Sequence, residues 1–188
     1  MIRTFIALEL PPVVKKELEH VLSRLKLLSP NGVNWIKPEN LHLTLLFIGD
    51  VPSEKIPEIE TLLQTHLEAF PAFNFTAEGL EFFPAVEPRL LWLKLSCSNE
   101  DIIKLNRRLI RDLGNLGIEA DRKTMKLHIT LARFKTKFTP ETEREIMQYA
   151  PNREPHSFSS ISLFKSVLHP SGPQYTVLHK YNLKLTGG

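Results

Sequence analysis

Leu41-His42-Leu43-Thr44-Leu45 and Leu127-His128-Ile129-Thr130-Leu131 are one five-residue pattern written twice, 86 positions apart. In a β-strand successive side chains alternate between faces, so His42 and Thr44 share one face while Leu41, Leu43 and Leu45 take the other. His128 and Thr130 are placed in the same way. Each strand would bury its aliphatic side and hold an imidazole beside a hydroxyl on the opposite one, a face worth keeping polar only if something polar binds there. With 7 His and 12 Thr in 188 residues, chance supplies about 0.45 His-x-Thr triplets. Two copies that also agree at three apolar framing positions point to a shared role, and two such strands brought together make one site.

Outward from these strands the chain alternates strand and helix. Residues 3–10 read as a strand closed by Pro11-Pro12, followed by an amphipathic helix from Val14 whose stripe is Leu18, Leu22, Leu25 and Leu28, stopped by Ser29-Pro30-Asn31-Gly32. Val33 to Lys37 is a short strand, Pro38-Glu39-Asn40 a turn, and Leu41 to Ile48 the first motif strand. Ser53 is expected to cap a second helix striped by Ile56, Ile59, Leu62, Leu63 and Leu67. Phe73 to Phe83, irregular at Gly79, and Leu90 to Leu95 are strands. Asn99 is expected to cap a third helix carrying Ile102, Ile103, Leu109, Ile110 and Leu113, with Gly114 and Gly117 ending it. After the second motif strand, Leu127 to Phe134, Thr139-Pro140 opens a short helix. Phe158 to Leu168 and Gln174 to Leu183 form a hairpin around Pro170-Ser171-Gly172.

Shifting the chain by 86 lays Ile6 to Leu10 on Trp92 to Ser96, the first helix on the third and His42 on His128; later the offset slips to 83, laying Phe75 and Leu80 on Phe158 and Leu163. A strand-helix-strand-helix-strand unit used twice predicts an α+β fold. It has two pseudo-symmetric lobes, each a mainly antiparallel sheet with helices on its outer face, facing across a central cleft. The expected organisation is a single domain over 1–188, made of interleaved repeat units at about 3–83 and 89–168 with a last strand at about 174–183.

At 42% apolar and 24% charged the composition is that of an ordinary globular protein. The single cysteine, Cys97, excludes an internal disulfide framework and fits a reducing compartment. The sequence shows neither a secretory leader nor about 18 uninterrupted apolar residues, so the expectation is a cytoplasmic protein without a membrane partner. A net charge of +3 leans mildly towards an anionic partner. There is no Cys pair, no His-Glu-x-x-His and no Gly-rich phosphate loop, so neither a metal nor a nucleotide cofactor is expected.

Two imidazoles facing each other across a small anion have unperturbed pKa values near 6.5, so one can accept a proton while the other donates one. That is a general base and a general acid, worth roughly 10²- to 10⁴-fold each, enough for an already activated phosphodiester. The hydroxyls of Thr44 and Thr130 can donate to non-bridging phosphate oxygens. The residues leave the two histidine roles interchangeable.

The paired motifs, the internal repeat and the frame Asn34-Trp35-Ile36-Lys37-Pro38-Glu39-Asn40-Leu41-His42-Leu43-Thr44-Leu45-Leu46-Phe47-Ile48-Gly49 resemble the 2H phosphoesterase superfamily. Within it the likeness is to the RNA 2',3'-cyclic phosphodiesterases, formerly called 2'-5' RNA ligases, and runs from Arg3 to about Tyr181. The resemblance implies hydrolysis of RNA 2',3'-cyclic phosphate ends, or of small cyclic nucleotides, to 2'-phosphomonoesters without metal or nucleotide cofactor, and no obligate protein partner is evident in the sequence. It also implies His42 as proton donor, His128 as proton acceptor, Arg133 as a phosphate contact and Phe47 as a base-stacking ring. Both Arg133 and Phe47 lie five positions after a histidine, which a flat strand sends to the wrong face, so a bulge, twist or strand end must redirect them. Joining of RNA ends at the same site and a non-catalytic nucleotide- or RNA-binding module are the competing readings.

The remaining candidates have plainer readings. His20 and His66 fall on amphipathic helices, His156 in a loop, His169 before a turn and His179 in the last strand, all away from the motifs. Trp35 and Trp92 read as core residues and Cys97 as a small buried one. Lys37, Arg89, Arg122, Lys123 and Lys126 fall near the motif strands and could follow RNA phosphates, or could be scattered surface charges.

Overall fold

The computed structural model describes residues 1–28, 31–98, 100–135, 137–169 and 172–185. Its elements are β1 (Ile2–Glu9), α1 (Pro12–Leu28), β2 (Val33–Trp35), a 3₁₀ turn (Pro38–Asn40), β3 (His42–Val51) and a second 3₁₀ turn (Ser53–Lys55). These are followed by α2 (Ile56–Leu67), β4 (Phe73–Phe83), β5 (Leu90–Cys97), α3 (Asp101–Asn115), β6 (His128–Phe134), α4 (Pro140–Met147), β7 (His156–Phe158), β8 (Ser160–His169) and β9 (Gly172–Asn182). The strands run β7-β4-β5-β6-β3-β1-β8-β9 in one ladder, with β2 added to β6, and every paired strand is antiparallel. The fold is α+β.

The two halves meet where β3 pairs with β6, at Leu43 and Ile129, which occupy the same place in the two motifs. An antiparallel pair of equivalent residues is what a local twofold axis passing between them produces. The second crossing obeys the same rule. β4 meets β7 around Asn74 and Ser157, equivalent positions under the 83-residue offset. Each copy also gives its third strand away: β4 pairs with β5 of the second copy, and β8 pairs with β1 of the first. The helices follow, α1 packing on α4 and α2 on α3.

The register corrects one sequence expectation. Glu9 is opposite His42 and Lys94 is opposite His128, so β1 overlays β5 with an offset of 85, Ala7 falling on Trp92, and not with the 86 of the motifs. Five consecutive buried residues of β1, Thr4 to Leu8, give no alternation to fix the phase, which is why a one-residue slip passes unnoticed in sequence. Ser53 does not cap α2, whose first turn is preceded by the 3₁₀ turn and Lys55. Thr139 does cap α4, its Oγ1 accepting from the Thr142 N–H at 3.2 Å. His156 lies in β7, a strand paired with β4, not in a loop. The interruption of β4 at Gly79 is present as a register shift, with φ at 152°. Ser29-Pro30, Asn99 and Pro170-Ser171, expected to stop α1, cap α3 and turn the last hairpin, lie outside the described residues. Among the described residues no helix is long and apolar enough to cross a membrane.

The core lies between the sheet and its helices. Leu43, Leu45, Leu46 and Ile48 of β3 and Ile129, Leu131, Ala132 and Phe134 of β6 are buried there, with Leu18 and Leu22 of α1 and Ile102, Leu105 and Leu109 of α3. The change of phase inside each run is a bulge. Ile6 pairs with Leu46 but Ala7 with Thr44, leaving Leu45 over; Leu91 pairs with Ala132 but Trp92 with Thr130, leaving Leu131 over. The carbonyl freed at Leu45 accepts from Nδ2 of the buried Asn106 at 2.7 Å, and that at Leu131 accepts from the Ile36 N–H at 2.9 Å. Replacing Asn106 by Leu strands the Leu45 carbonyl, at a cost of about 1–3 kcal/mol. For a chain of this size that is a fall in Tm of roughly 2–4 °C per kcal/mol. Thermal denaturation of Asn106→Leu at an unchanged Tm contradicts this account of the bulge.

Candidate active site

The bulges decide which side chains share the polar face. Before the extra residue His42 and Thr44 point away from the core, and after it the phase reverses, so Phe47 emerges on their side. Arg133 joins His128 and Thr130 by the same device. All six line one cleft of about 960 Å³. Phe47 is half exposed there, an aromatic ring that no core claims. The redirection expected for both positions therefore has one structural cause, repeated in the two copies.

Each histidine is held alike. His42 Nδ1 lies 2.7 Å from the Asn40 carbonyl, and His128 Nδ1 lies 2.7 Å from the Lys126 carbonyl, the residue two before it in both cases. A carbonyl only accepts, so Nδ1 carries the hydrogen in both rings and Nε2 is the atom left to gain or lose a proton. Burial pushes the His42 imidazole down to about 4; the hydrogen bond to Asn40 opposes this, and the charges of His128 and Arg133 add to it. Burial also lowers His128, opposed by its bond to the Lys126 carbonyl, while the Lys126 and Arg133 cations lower it further and Glu81 raises it. Both rings are neutral in the empty cleft at pH 7.

The surroundings of the two rings differ. Trp92 stacks on His128 with centroids 3.8 Å apart, Phe83 stacks on Trp92 at 3.9 Å, and Lys126 Nζ sits 4.3 Å above Phe83. Trp92 is buried, as a core residue would be, but its ring forms the wall of the site. His42 instead meets Phe5 at 5.0 Å and the edge of Tyr175 at 5.4 Å. Tyr175, Phe5, Phe83 and Asn106 are cleft residues that the sequence reading missed. Asn106 carried a signal, a polar residue four positions after Ile102 on the buried stripe of α3; Tyr175 carried none, since β9 exposes most of its length.

Of the basic candidates, Lys123 and Lys126 line the cleft, whereas Lys37, Arg89 and Arg122 are not among its lining residues. His66 pairs with Asp112 at 2.9 Å, His179 packs on Tyr181, and His20 and His169 are exposed. Trp35 packs against the core from β2, and Cys97 is half-buried. Among the described residues no group of three or more His, Cys, Asp or Glu side chains is placed to hold a metal ion.

Comparison with known proteins gives the chain its relatives. The family described as LigT like Phosphoesterase matches residues 8–92. A Thermotoga maritima protein named RNA 2',3'-cyclic phosphodiesterase is 32% identical over 99% of this chain and 97% of its own length. One of the same name from Archaeoglobus fulgidus is 32% identical over 95% of this chain and 99% of its own length. A Thermus thermophilus crystal structure superposes with a TM-score of 0.77 at 30% identity, covering 97% of this chain and 98% of the other. Escherichia coli LigT, 23% identical over 97% of this chain and 98% of its own, shares the fold with a TM-score of 0.74. On a match that runs nearly end to end, the chain belongs to the LigT-like phosphoesterases, the 2H family that its two His-x-Thr strands resemble.

Proposed function

We propose that this chain hydrolyses 2',3'-cyclic phosphate ends of RNA, and small cyclic nucleotides, to 2'-phosphomonoesters, as a single domain whose two repeats each supply half of the site. The observation that carries the reading is the pair of imidazoles held through Nδ1 with their Nε2 atoms free, on opposite halves of one cleft. The relatives' name supplies the substrate class.

In this mechanism water attacks phosphorus on the His128 side, and His128 Nε2 takes its proton. The new P–O bond forms as the bond to the 3' oxygen breaks, and protonated His42 gives its Nε2 hydrogen to that oxygen. Thr44 and Thr130 donate to the non-bridging oxygens, and Arg133 opposes the charge that builds on them. Phe47 offers a face for the terminal base. Lys123 and Lys126 extend positive charge along the wall.

Proton bookkeeping follows from the site's electrostatics. His42 is neutral in the free protein, yet a donor must be charged, so it takes up its proton when an anion enters beside it. Binding of a phosphodiester monoanion at pH 6 should therefore consume protons, read by calorimetry in buffers of different ionisation enthalpy. Buffer-independent heats would contradict it. His42→Ala and His128→Ala should each lower kcat for a 2',3'-cyclic nucleotide by roughly 10²- to 10⁴-fold, with wild-type turnover surviving excess chelator. Wild-type rates in either variant would refute the proposal.

A further inference from the structure

The two histidines are anchored by the same bond to the same relative position, yet one must donate and the other accept. Trp92 against Ala7 is one difference within the repeat, and a second lies outside it. β9 pairs with β8 along its whole length, from Ser160 with Asn182 to His169 with Gly172. On the other half, β4 is the strand equivalent to β8, and its outer side is met only at Phe73 to Phe75 by β7. Among the described strands β9 thus has no counterpart.

This added strand reaches His42 in two ways. Asn40, whose carbonyl holds the His42 ring, donates from Nδ2 to the Pro173 carbonyl at 3.0 Å, tying the motif turn to the start of β9. Two residues on, Tyr175 sets its ring edge-on to His42 at 5.4 Å and to Phe5 at 5.0 Å. Lys126, which occupies the position of Asn40 in the second copy, lays its side chain on Phe83 instead. His128 has Trp92 as its stacking wall, and among the described residues no ring of β9 stacks on it.

We infer that Asn40 and Tyr175 are positioning residues through which the C-terminal strand makes the two histidines unequal. By closing water further away from His42 than from His128, they make it the ring that takes up its proton when an anion is bound. The assignment of His42 as donor rests on the function proposed above; the inequality itself does not. A ring that resists protonation in the empty site becomes, once charged beside a phosphate, a strong acid towards a departing alkoxide. The depression of the His42 pKa, largest from burial, agrees in direction. The ionisable groups facing His42 are few. His128 and Arg133 come from β6 and Tyr175 from β9, and Arg3 acts on Tyr175. From β1, Glu9 is the register partner of His42, but its carboxylate is engaged by Ser162 and Lys180. Of these, the two groups that shift His42 by their charge, His128 and Arg133, disfavour its cation, and neither lies on β9. Removing the β9 contacts isolates the effect of water.

The test is a proton-NMR titration of both imidazoles in the full-length protein, which needs no turnover. Asn40→Ala keeps the backbone carbonyl that anchors the ring, and Tyr175→Ala removes the cover. Each should raise the His42 midpoint by about one unit or more, a tenfold easier protonation, while the His128 midpoint stays within a few tenths. Tyr175→Phe, which keeps the ring edge, should leave His42 where it is in the wild type, and Tyr175→Leu, which removes the ring but keeps apolar bulk on the strand, should raise its midpoint in the same direction if the alanine variants fold poorly. A His42 midpoint unmoved in Asn40→Ala and Tyr175→Ala overturns the inference, as does an equal rise at His128 or a Tyr175→Phe midpoint that rises as far as that of Tyr175→Ala. Retained His42 depression in a protein without hydrolytic activity would sink the proposed reaction and leave this inference standing.

Discussion

One antiparallel contact, Leu43 against Ile129, governs the arrangement of this molecule. It joins the same residue of two copies of one motif, so a local twofold axis passes between them and carries everything else with it. His42 and His128, each one residue before the paired position, are thrown onto opposite halves of one cleft. The bulges at Leu45 and Leu131 then reverse the phase of each strand within the same turn of the pleat, bringing Phe47 and Arg133 to the polar side. The cost of a bulge is a carbonyl without a ladder partner, and the two copies meet it differently, one with a side chain from α3 and one with a backbone N–H ahead of the 3₁₀ turn.

The symmetry is one of backbone and motif, and the proposed chemistry needs it broken. Ala7 and Trp92 stand at matching places in β1 and β5, opposite Thr44 and Thr130. The small residue leaves the first half to be filled by Phe5, Phe164 and Tyr175, whereas the large one stacks directly on His128. A duplicated scaffold thus supplies two equivalent histidines, and residues that differ between the copies, together with Tyr175 of the unduplicated β9, assign them different environments. The same hydrogen bond at Nδ1 keeps both Nε2 atoms available, which is the part of the design that has to stay common.

Much of this was legible in the chain. The repeat, the α+β class, the order of elements and the shared face of His42 and Thr44 follow from alternation and spacing, which report directly on which side of a strand is buried. Phe47 and Arg133 could be placed only by supposing a bulge, because periodicity within a strand cannot announce its own interruption. The exchange of third strands was not legible, since β4 and β8 have the same pattern whichever neighbour they choose. Tyr175 was invisible for a related reason: on an exposed edge strand nothing distinguishes the one ring that faces the site. Trp92 could be read as buried but not as buried against a histidine.

The central claim is that two equivalent imidazoles act in opposite senses on one phosphodiester, with the proton delivered to the 3' oxygen. The measurement that tests it most directly is analysis of the product from an RNA ending in a 2',3'-cyclic phosphate, resolving the 2'- from the 3'-phosphate. The expected product is a 2'-phosphate end. A 3'-phosphate end, or a mixture of the two, would contradict it.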